Sequence, residues 1–541
     1  MWPQVYTPVA GSLAFSALVA ALPIFVLLFL LGVKRKPAWI SSLVGLAVAM
    51  LTAGLVYGMP AGRLFSSVLM GAAFGLWPIG WVVFTAVLLY RITLESGCFA
   101  LLKDSIAHLA DDKRIQVLLI AFAFGAFVEG AAGFGTPVAV AATMLTELGF
   151  TPFYAAGICL LANTAPVAFG SLAIPITTLA GVANLPVDRI SAGVGRICAP
   201  VSLFIPAYLM LVMSGWSGLR SVFPAVAVCG IFFAATQFFV SNFIGPQLTD
   251  IFSSLAAMGA IVILTRVWKP KDTKQSGNAS AHSGGGMRHT GGQLLRAWSP
   301  YILLVICVSA WSFKPVATWL AAQNILINWP GLHNTIQRMP PVVAQPTAYG
   351  AVFNFSWLAA SGTSCLLATI LAAMAVGMSP AKYFRTVGHT AKQLALAELT
   401  LAAVLGLAYV MNYSGATATL GLAFAATGVV FPFFSAMLGW VAVFLTGSDT
   451  SANALFGTLQ VVTANKLGMN PALMASANSA GGVMGKMISL TSIAVAAAAT
   501  SMKREDESLL FRFTVKHSVL LASVVGLVTL FYTYIAPGWA P

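Results

Sequence analysis

Apolar runs of about 20 residues recur from one end of this chain to the other, each long enough to cross roughly 30 Å of hydrocarbon as a helix. The clearest are 12–33, 38–57, 64–90, 192–214, 221–243, 245–266, 300–322, 350–378, 393–412, 428–446, 472–500 and 517–536. Two further regions, 115–150 and 152–185, are as apolar but interrupted by Gly, Pro and Asn. Only 8% of the residues are charged against 59% hydrophobic, too little charge to cover a soluble surface of this size. The chain therefore reads as an all-α polytopic membrane protein of about 12–14 transmembrane helices. No long alternating strand pattern suggests an outer-membrane barrel.

Basic residues mark the loops. Residues 1–11 lack Lys and Arg, and Lys34-Arg35-Lys36 follows the first apolar run, so that run is not a cleaved signal peptide. The positive-inside rule puts residues 34–36 in the cytoplasm and the N-terminus outside. The same rule assigns inside loops to Lys103, Lys113 and Arg114, to Lys269, Lys271, Lys274, Arg288 and Arg296, to Lys382, Arg385 and Lys392, and to Lys503, Arg504, Arg512 and Lys516. The C-terminus then lies outside as well. A net charge of +14 is thus topological, and its scatter over several loops argues against a nucleic-acid partner. Residues 267–299, with the low-complexity stretch 272–292, read as a flexible basic cytoplasmic linker between halves 1–266 and 300–541. His282 and His289 there are weak metal candidates, and a solvated loop is the simpler reading. Cys98, Cys159, Cys198, Cys229, Cys307 and Cys365 form no C-x-x-C pair and read as small core residues, so no metal site or cofactor is expected.

Each half carries an acid, a run of small residues and an L-G-x-x-P turn. Glu129 precedes Leu148-Gly149-Phe150-Thr151-Pro152 and Asp449 precedes Leu467-Gly468-Met469-Asn470-Pro471, with acid-to-proline spacings of 23 and 22 residues. An Asn-bearing run follows each, LANTAPVAFG at 161–170 and SANSAGGVMGK at 476–486. By the loop charges the two copies run in opposite senses. We therefore expect two inverted-topology repeats, with broken helices or re-entrant hairpins near the midplane, an architecture of secondary transporters.

A helix interrupted by Gly and Pro leaves backbone N–H and C=O groups unpaired, which is tolerated only inside protein or beside a water-filled cavity. Helix N-termini at such breaks present free N–H donors suited to a carboxylate. An ionised side chain at the bilayer centre costs about 2.5–3.5 kcal/mol on insertion scales, and a carboxylate sheds that cost by taking a proton. Glu129 and Asp449 are thus candidate proton carriers; the plainer alternative is that each caps a helix N-terminus. Arg196 and Lys486 lie inside apolar runs and are candidates to hold an anion or to neutralise the two acids. Lys314 and Glu398 read as interfacial, and His108 as structural. No G-x-S-x-G, H-E-x-x-H, Walker A or dinucleotide fingerprint is present, so an enzyme or an ATP-driven pump is not indicated.

EGAAGFGTPVA (129–139), NTAPVAFG (163–170), RMPPVV (338–343), FLTGSDTSANALF (444–456), GGVMGKMIS (481–489) and LFRFTVKHS (510–518) together resemble the bacterial L-lactate permease family, in order and over nearly the whole chain. The resemblance implies a proton-coupled symporter of the inner membrane taking up L-lactate, D-lactate and glycolate. Its motif acids fall on Glu129 and Asp449. Its small and polar motif positions fall on Gly133, Gly135, Asn163, Thr164, Ser448, Thr450, Ser451 and Asn453, and its intramembrane basics on Arg196 and Lys486; Thr136 and Asn478 join them as candidate substrate contacts. Thr136 stands where the family often has alanine, and Leu490-Thr491 where Pro-Gln is expected, which bears on substrate preference. The rival readings are a carrier of another organic anion, such as a dicarboxylate, coupled to Na⁺, and an anion channel.

Overall fold

The computed structural model describes the chain except residues 108, 111, 134, 271–289 and 504–505. His108, His282 and His289, with most of the expected linker, lie outside the described residues. Within the described part of that linker, residues 291–299 are already helical, opened by a Thr290–Gln293 capping box.

Among the described residues, 12 helices are long and apolar enough to cross a membrane, and a bent pair, Pro152–Ala162 with Val167–Ala183, makes up to 13. One expected span changes character. In 350–378, Val352–Phe355 pairs antiparallel with Ile325–Asn328, and only Ser361–Ala375 is helical. Alternating Val, Phe and Asn with aromatic neighbours is as apolar as a helix but suits a strand. The run 300–322 is also divided, because Gly291–Ser312 ends at Phe313 and Lys314 begins a separate short helix.

The L-G-x-x-P turns have a simple physical cause. Gly149 (φ 82°) and Gly468 (φ 67°) take the left-handed conformation that ends a helix, and Pro152 and Pro471 open the next, where a missing N–H costs nothing. Asn470 completes the second turn by accepting from the N–H groups of Ala472 and Leu473 at 2.9 and 3.2 Å.

Contacts at helix ends show how the chain folds back. Lys113–Ala131 is about 28 Å long at 1.5 Å per residue, yet Lys113 Nζ reaches the Gly149 carbonyl at 3.2 Å and Lys103 pairs with Glu147 at 2.7 Å. The limbs Lys113–Ala131 and Thr136–Glu147 are therefore one re-entrant hairpin, hairpin 1, and Pro152–Ala162 with Gly170–Ala183 follow as broken span 1. In the second half Phe431–Thr446 and Asp449–Leu467 form hairpin 2, with Ser435 Oγ on Gln460 Oε1 at 2.8 Å near its open end. Pro471–Lys486 and Leu490–Ala499 form broken span 2.

Hairpin 1 opens on the face carrying Lys103 and Lys113. Hairpin 2 opens on the face carrying both termini: Lys466 shares a pocket with Pro3 and Tyr6, and Asn470 Nδ2 donates to the Pro541 carbonyl at 2.7 Å. The two units are thus inverted, and they clasp each other. Thr458 on the return limb of hairpin 2 bonds the Val182 carbonyl of broken span 1 at 2.8 Å, while Thr143 on the return limb of hairpin 1 bonds the Ala499 carbonyl of broken span 2 at 3.2 Å. Phe431–Thr446 and Pro471–Lys486 approach closely through small residues. A Cβ at Gly439 would collide with the Asn478 carbonyl, and one at Gly481 with that of Ala436.

The remaining helices form a frame drawn from both halves. Ala61–Phe74 packs along Pro380–Ser414, Arg91 Nε bonds Gln393 Oε1 at 2.7 Å, and Lys382 Nζ bonds the Glu95 carbonyl at 2.7 Å. The two halves read from sequence are interleaved in space.

Candidate functional site

A cavity of about 300 Å³ lies where the hairpin tips meet the two broken spans. Glu129, Gly135, Ser448, Asp449, Thr450, Ser451 and Lys486 line it. From the tips it runs toward Ala38, Ser42 and Glu398, the end at which Lys34-Arg35-Lys36 turns between the first two helices.

The breaks that build it are local consequences of sequence. Pro166 lacks the N–H that would continue Pro152–Ala162, and beyond it Ser171, Leu172 and Ala173 sit consecutively in the left-handed region (φ 48°, 57° and 62°). Such conformers each cost about 1–2 kcal/mol outside glycine and persist only where the surroundings hold them. Here Ser171 Oγ donates to the Ala132 carbonyl at 3.0 Å, binding broken span 1 to the tip of hairpin 1. Hairpin 2 turns at Gly447 (φ 72°), after which Ser448 caps the return limb by accepting from Ser451 N at 3.2 Å.

The return limb of each hairpin and the second segment of each broken span begin at this cavity, with Gly135, Ile174 (the first right-handed residue after the left-handed run), Ser448 and Thr491 in its wall. Four helix N-termini therefore converge, each with N–H donors and partial positive charge.

The charged groups occupy distinct places. Glu129 is 4% exposed in the last turn of its limb, at the helix end where a carboxylate gains nothing from the dipole, so it is not an N-terminal cap. Its carboxyl lies against Gly170, where an added Cβ would stand 2.6 Å from Oε1, and Oε2 has no hydrogen-bond partner. Asp449 is 3% exposed in the first turn of its limb, where Ser448 already caps. Its Oδ2 accepts from Ser479 Oγ at 2.7 Å and Asn453 Nδ2 at 3.3 Å, leaving Oδ1 unpartnered. Lys486 ends the first segment of broken span 2, donates to the Gly447 carbonyl at 2.7 Å, and lies within electrostatic reach of both carboxylates.

Other expected site residues stand behind the wall. Asn453, Asn478 and Gln460 form a buried chain leading from Asp449, with Asn478 Nδ2 on Asn453 Oδ1 at 2.9 Å and Gln460 Nε2 on Asn478 Oδ1 at 3.1 Å. Gly133 packs under Ser171, the Asn163 amide lies against the Glu129 carboxyl, and Thr164 bonds the carbonyl of Leu161 in its own turn at 2.7 Å. Thr136 opens the return limb of hairpin 1 outside the cavity wall.

Arg196 is elsewhere. Its Nε bonds Asn242 Oδ1 at 2.8 Å and its Nη1 the Trp539 carbonyl at 2.7 Å, on the face of the termini. It stands about 14 Å along its helix, close enough for a long side chain to reach that face. Glu398, read as interfacial, instead lines the cavity, with its carboxyl packed on Gly80 and Oε1 unpartnered. Gly170, Ser171, Thr446, Thr491 and Ser492 also face it. Of these, Gly170 closes the NTAPVAFG motif, Thr446 opens TGSDTSAN, and Thr491 belongs to the Leu490-Thr491 departure noted in the sequence; Ser171 and Ser492 fall outside the quoted stretches and carried no signal.

Residues 16–536 match the family model described as L-lactate permease. The glycolate permease GlcA of Escherichia coli K12 is 44% identical, with 99% of each chain covered. The L-lactate permease of Bacillus subtilis 168 is 44% identical over 98% of each, and that of Escherichia coli K12 is 42% identical over the full length of both. Among solved structures, Neisseria gonorrhoeae MtrF, described with a class of antimetabolite efflux pumps, has a TM-score of 0.51 at 13% identity. It covers 94% of this chain and 97% of its own, a likeness of fold alone.

Proposed function

The chain belongs to the L-lactate permease family, and on that premise we propose that it is a secondary carrier coupling uptake of L-lactate, D-lactate and glycolate to proton entry across the bacterial inner membrane. The observation that carries this reading is the charge of the cavity. Glu129 and Asp449 stand with one ammonium, Lys486, at the hairpin tips, and a third carboxylate, Glu398, lines the cavity farther toward Ser42. With all ionised the tip site holds one net negative charge, Glu398 adds a second along the way, and an anion is repelled. One proton on Glu129 or Asp449 neutralises the tip site, so anion and proton enter together. Lys486 is the only Lys or Arg among the lining residues, which favours a single carboxylate over a dicarboxylate.

The substrate carboxylate binds Lys486 and the N–H groups at the converging helix N-termini. Hydroxyls of Ser171, Thr450, Thr491 and Ser492 contact the 2-hydroxyl. Glu129 or Asp449 carries the proton, and the clasped hairpins move against the frame to expose the site to one face and then the other. The loop charges place both termini in the periplasm and the Ser42 end of the cavity toward the cytoplasm. The test is counterflow of labelled L-lactate in proteoliposomes against unlabelled L-lactate, D-lactate, glycolate and succinate, with and without Na⁺. Competition by the three monocarboxylates, independent of Na⁺, is expected. Competition by succinate alone, or dependence on Na⁺, would overturn the reading.

A further inference from the structure

A third buried acid stands behind Glu129. Asp250 lies in the first turn of the helix Thr249–Val267, is 0% exposed, and neither carboxyl oxygen has a hydrogen-bond partner. This helix end presses on hairpin 1 next to Glu129, since a Cβ added at Gly130 would stand 2.7 Å from that of Asp250. Glu129 is the charged group that acts on Asp250 electrostatically. The adjoining helix Phe223–Phe243 contributes Gln237 and the buried Cys229, and Cys198 on Val187–Ser221 feels both Asp250 and Asp449. Arg266, the only other charged group on the same helix, is about 24 Å away. Arg196 is engaged at the face of the termini.

A buried carboxyl without a donor, whose nearest charge is a second carboxylate, is costly as an ion and cheap as a neutral acid. Its position supplies a direction. The cavity leaves Glu129 toward the face of Ser42, whereas Asp250 follows the 244–248 loop at the other end, where Ile244 is 44% exposed. Near the break of broken span 1, Gln237 Nε2 bonds the Ala165 carbonyl at 3.1 Å while its Oε1 is unpartnered.

We propose that Asp250 is a second proton-binding group of the carrier, which receives the coupled proton from the face of the termini and passes it to Glu129; this rests on the proton-coupled reading above. The Asp250 O–H bond breaks as an O–H bond forms on the Glu129 carboxylate, and the Asp250 carboxylate then takes a proton from water at that face. Charge is conserved at each transfer, and Glu129 is reloaded without opening the substrate cavity to that side.

The test compares wild type and Asp250→Asn in proteoliposomes. Asp250→Asn is expected to keep labelled L-lactate counterflow and lose accumulation driven by an inward proton gradient, its inside-to-outside ratio falling to that without a gradient. Accumulation equal to wild type would overturn the proposal. So would joint loss of counterflow and accumulation with unchanged thermal unfolding, which would make Asp250 necessary for substrate exchange rather than for proton delivery alone. A second measurement needs no variant: the apolar reagent dicyclohexylcarbodiimide attacks protonated buried carboxyls, so peptide mass spectrometry of wild type is expected to find modification at Asp250 that slows as pH rises. No modification at any pH would overturn the proposal. Failure of wild type itself to respond to the proton gradient would instead overturn the coupled reading, whatever the carbodiimide finds.

Discussion

Lys486 Nζ donates a 2.7 Å hydrogen bond to the carbonyl of Gly447, joining the end of a broken span to the tip of a re-entrant hairpin. The bond holds the cavity's only Lys or Arg side chain beside Glu129 and Asp449 while leaving two ammonium donors for a ligand. Lys486→Gln removes the charge and keeps a donor. Hydrogen bonds to charged groups are worth about 1.5–3 kcal/mol, so the half-saturating L-lactate concentration in counterflow should rise by one to two orders of magnitude. Unchanged affinity would remove Lys486 from the binding site.

Arg196 gives the opposite expectation. Its partners, Asn242 and the Trp539 carbonyl, are remote from the cavity. Arg196→Gln should leave the L-lactate affinity of counterflow unchanged and cost about 1 kcal/mol of stability, read as a lower unfolding temperature in detergent. A large loss of affinity at unchanged stability would contradict this placement.

The contact between Phe431–Thr446 and Pro471–Lys486 has no room for a methyl group. A Cβ at Gly439 meets the Asn478 backbone, with rigid helix on both sides. Gly439→Ala should destabilise the carrier by about 1–3 kcal/mol through overpacking, seen as a lower unfolding temperature and reduced membrane yield. An unchanged melt would show that the helices can separate freely.

The direction in which the cavity opens can be read by labelling. All six native cysteines are buried, which keeps the background low. Ala38→Cys, at the exposed rim of the cavity, should react with an impermeant maleimide in inside-out vesicles, and L-lactate should slow the reaction. Faster labelling in right-side-out vesicles would reverse the assigned orientation.

The membrane class, the breaks and the inverted sense of the two units were all legible in the chain, because apolar run length, Gly/Pro interruptions and loop charge each have a direct physical meaning. Direction within the membrane was not. Lys113–Ala131 is as long as a span, and only the approach of Lys113 to Gly149 shows that the chain returns. Nearly equal acid-to-proline spacings, 23 and 22 residues, suggested equivalent acids, but the return limbs have 12 and 19 residues, so Glu129 ends the first limb of its hairpin and Asp449 begins the second limb of its own. Asp250 was hidden because an acid after threonine at a helix start looks like an ordinary cap. Glu398, six residues after Lys392, looked interfacial, yet one continuous helix carries it to the cavity wall beside Gly80.

The central claim is that Glu129 handles the coupled proton beside a bound monocarboxylate. The most direct measurement is labelled L-lactate uptake into proteoliposomes under an imposed inward proton gradient, comparing wild type with Glu129→Gln. The account predicts uphill accumulation by wild type, and only downhill exchange by the variant, which keeps the shape of the side chain but cannot release a proton. Uphill accumulation by Glu129→Gln at the wild-type level would contradict it.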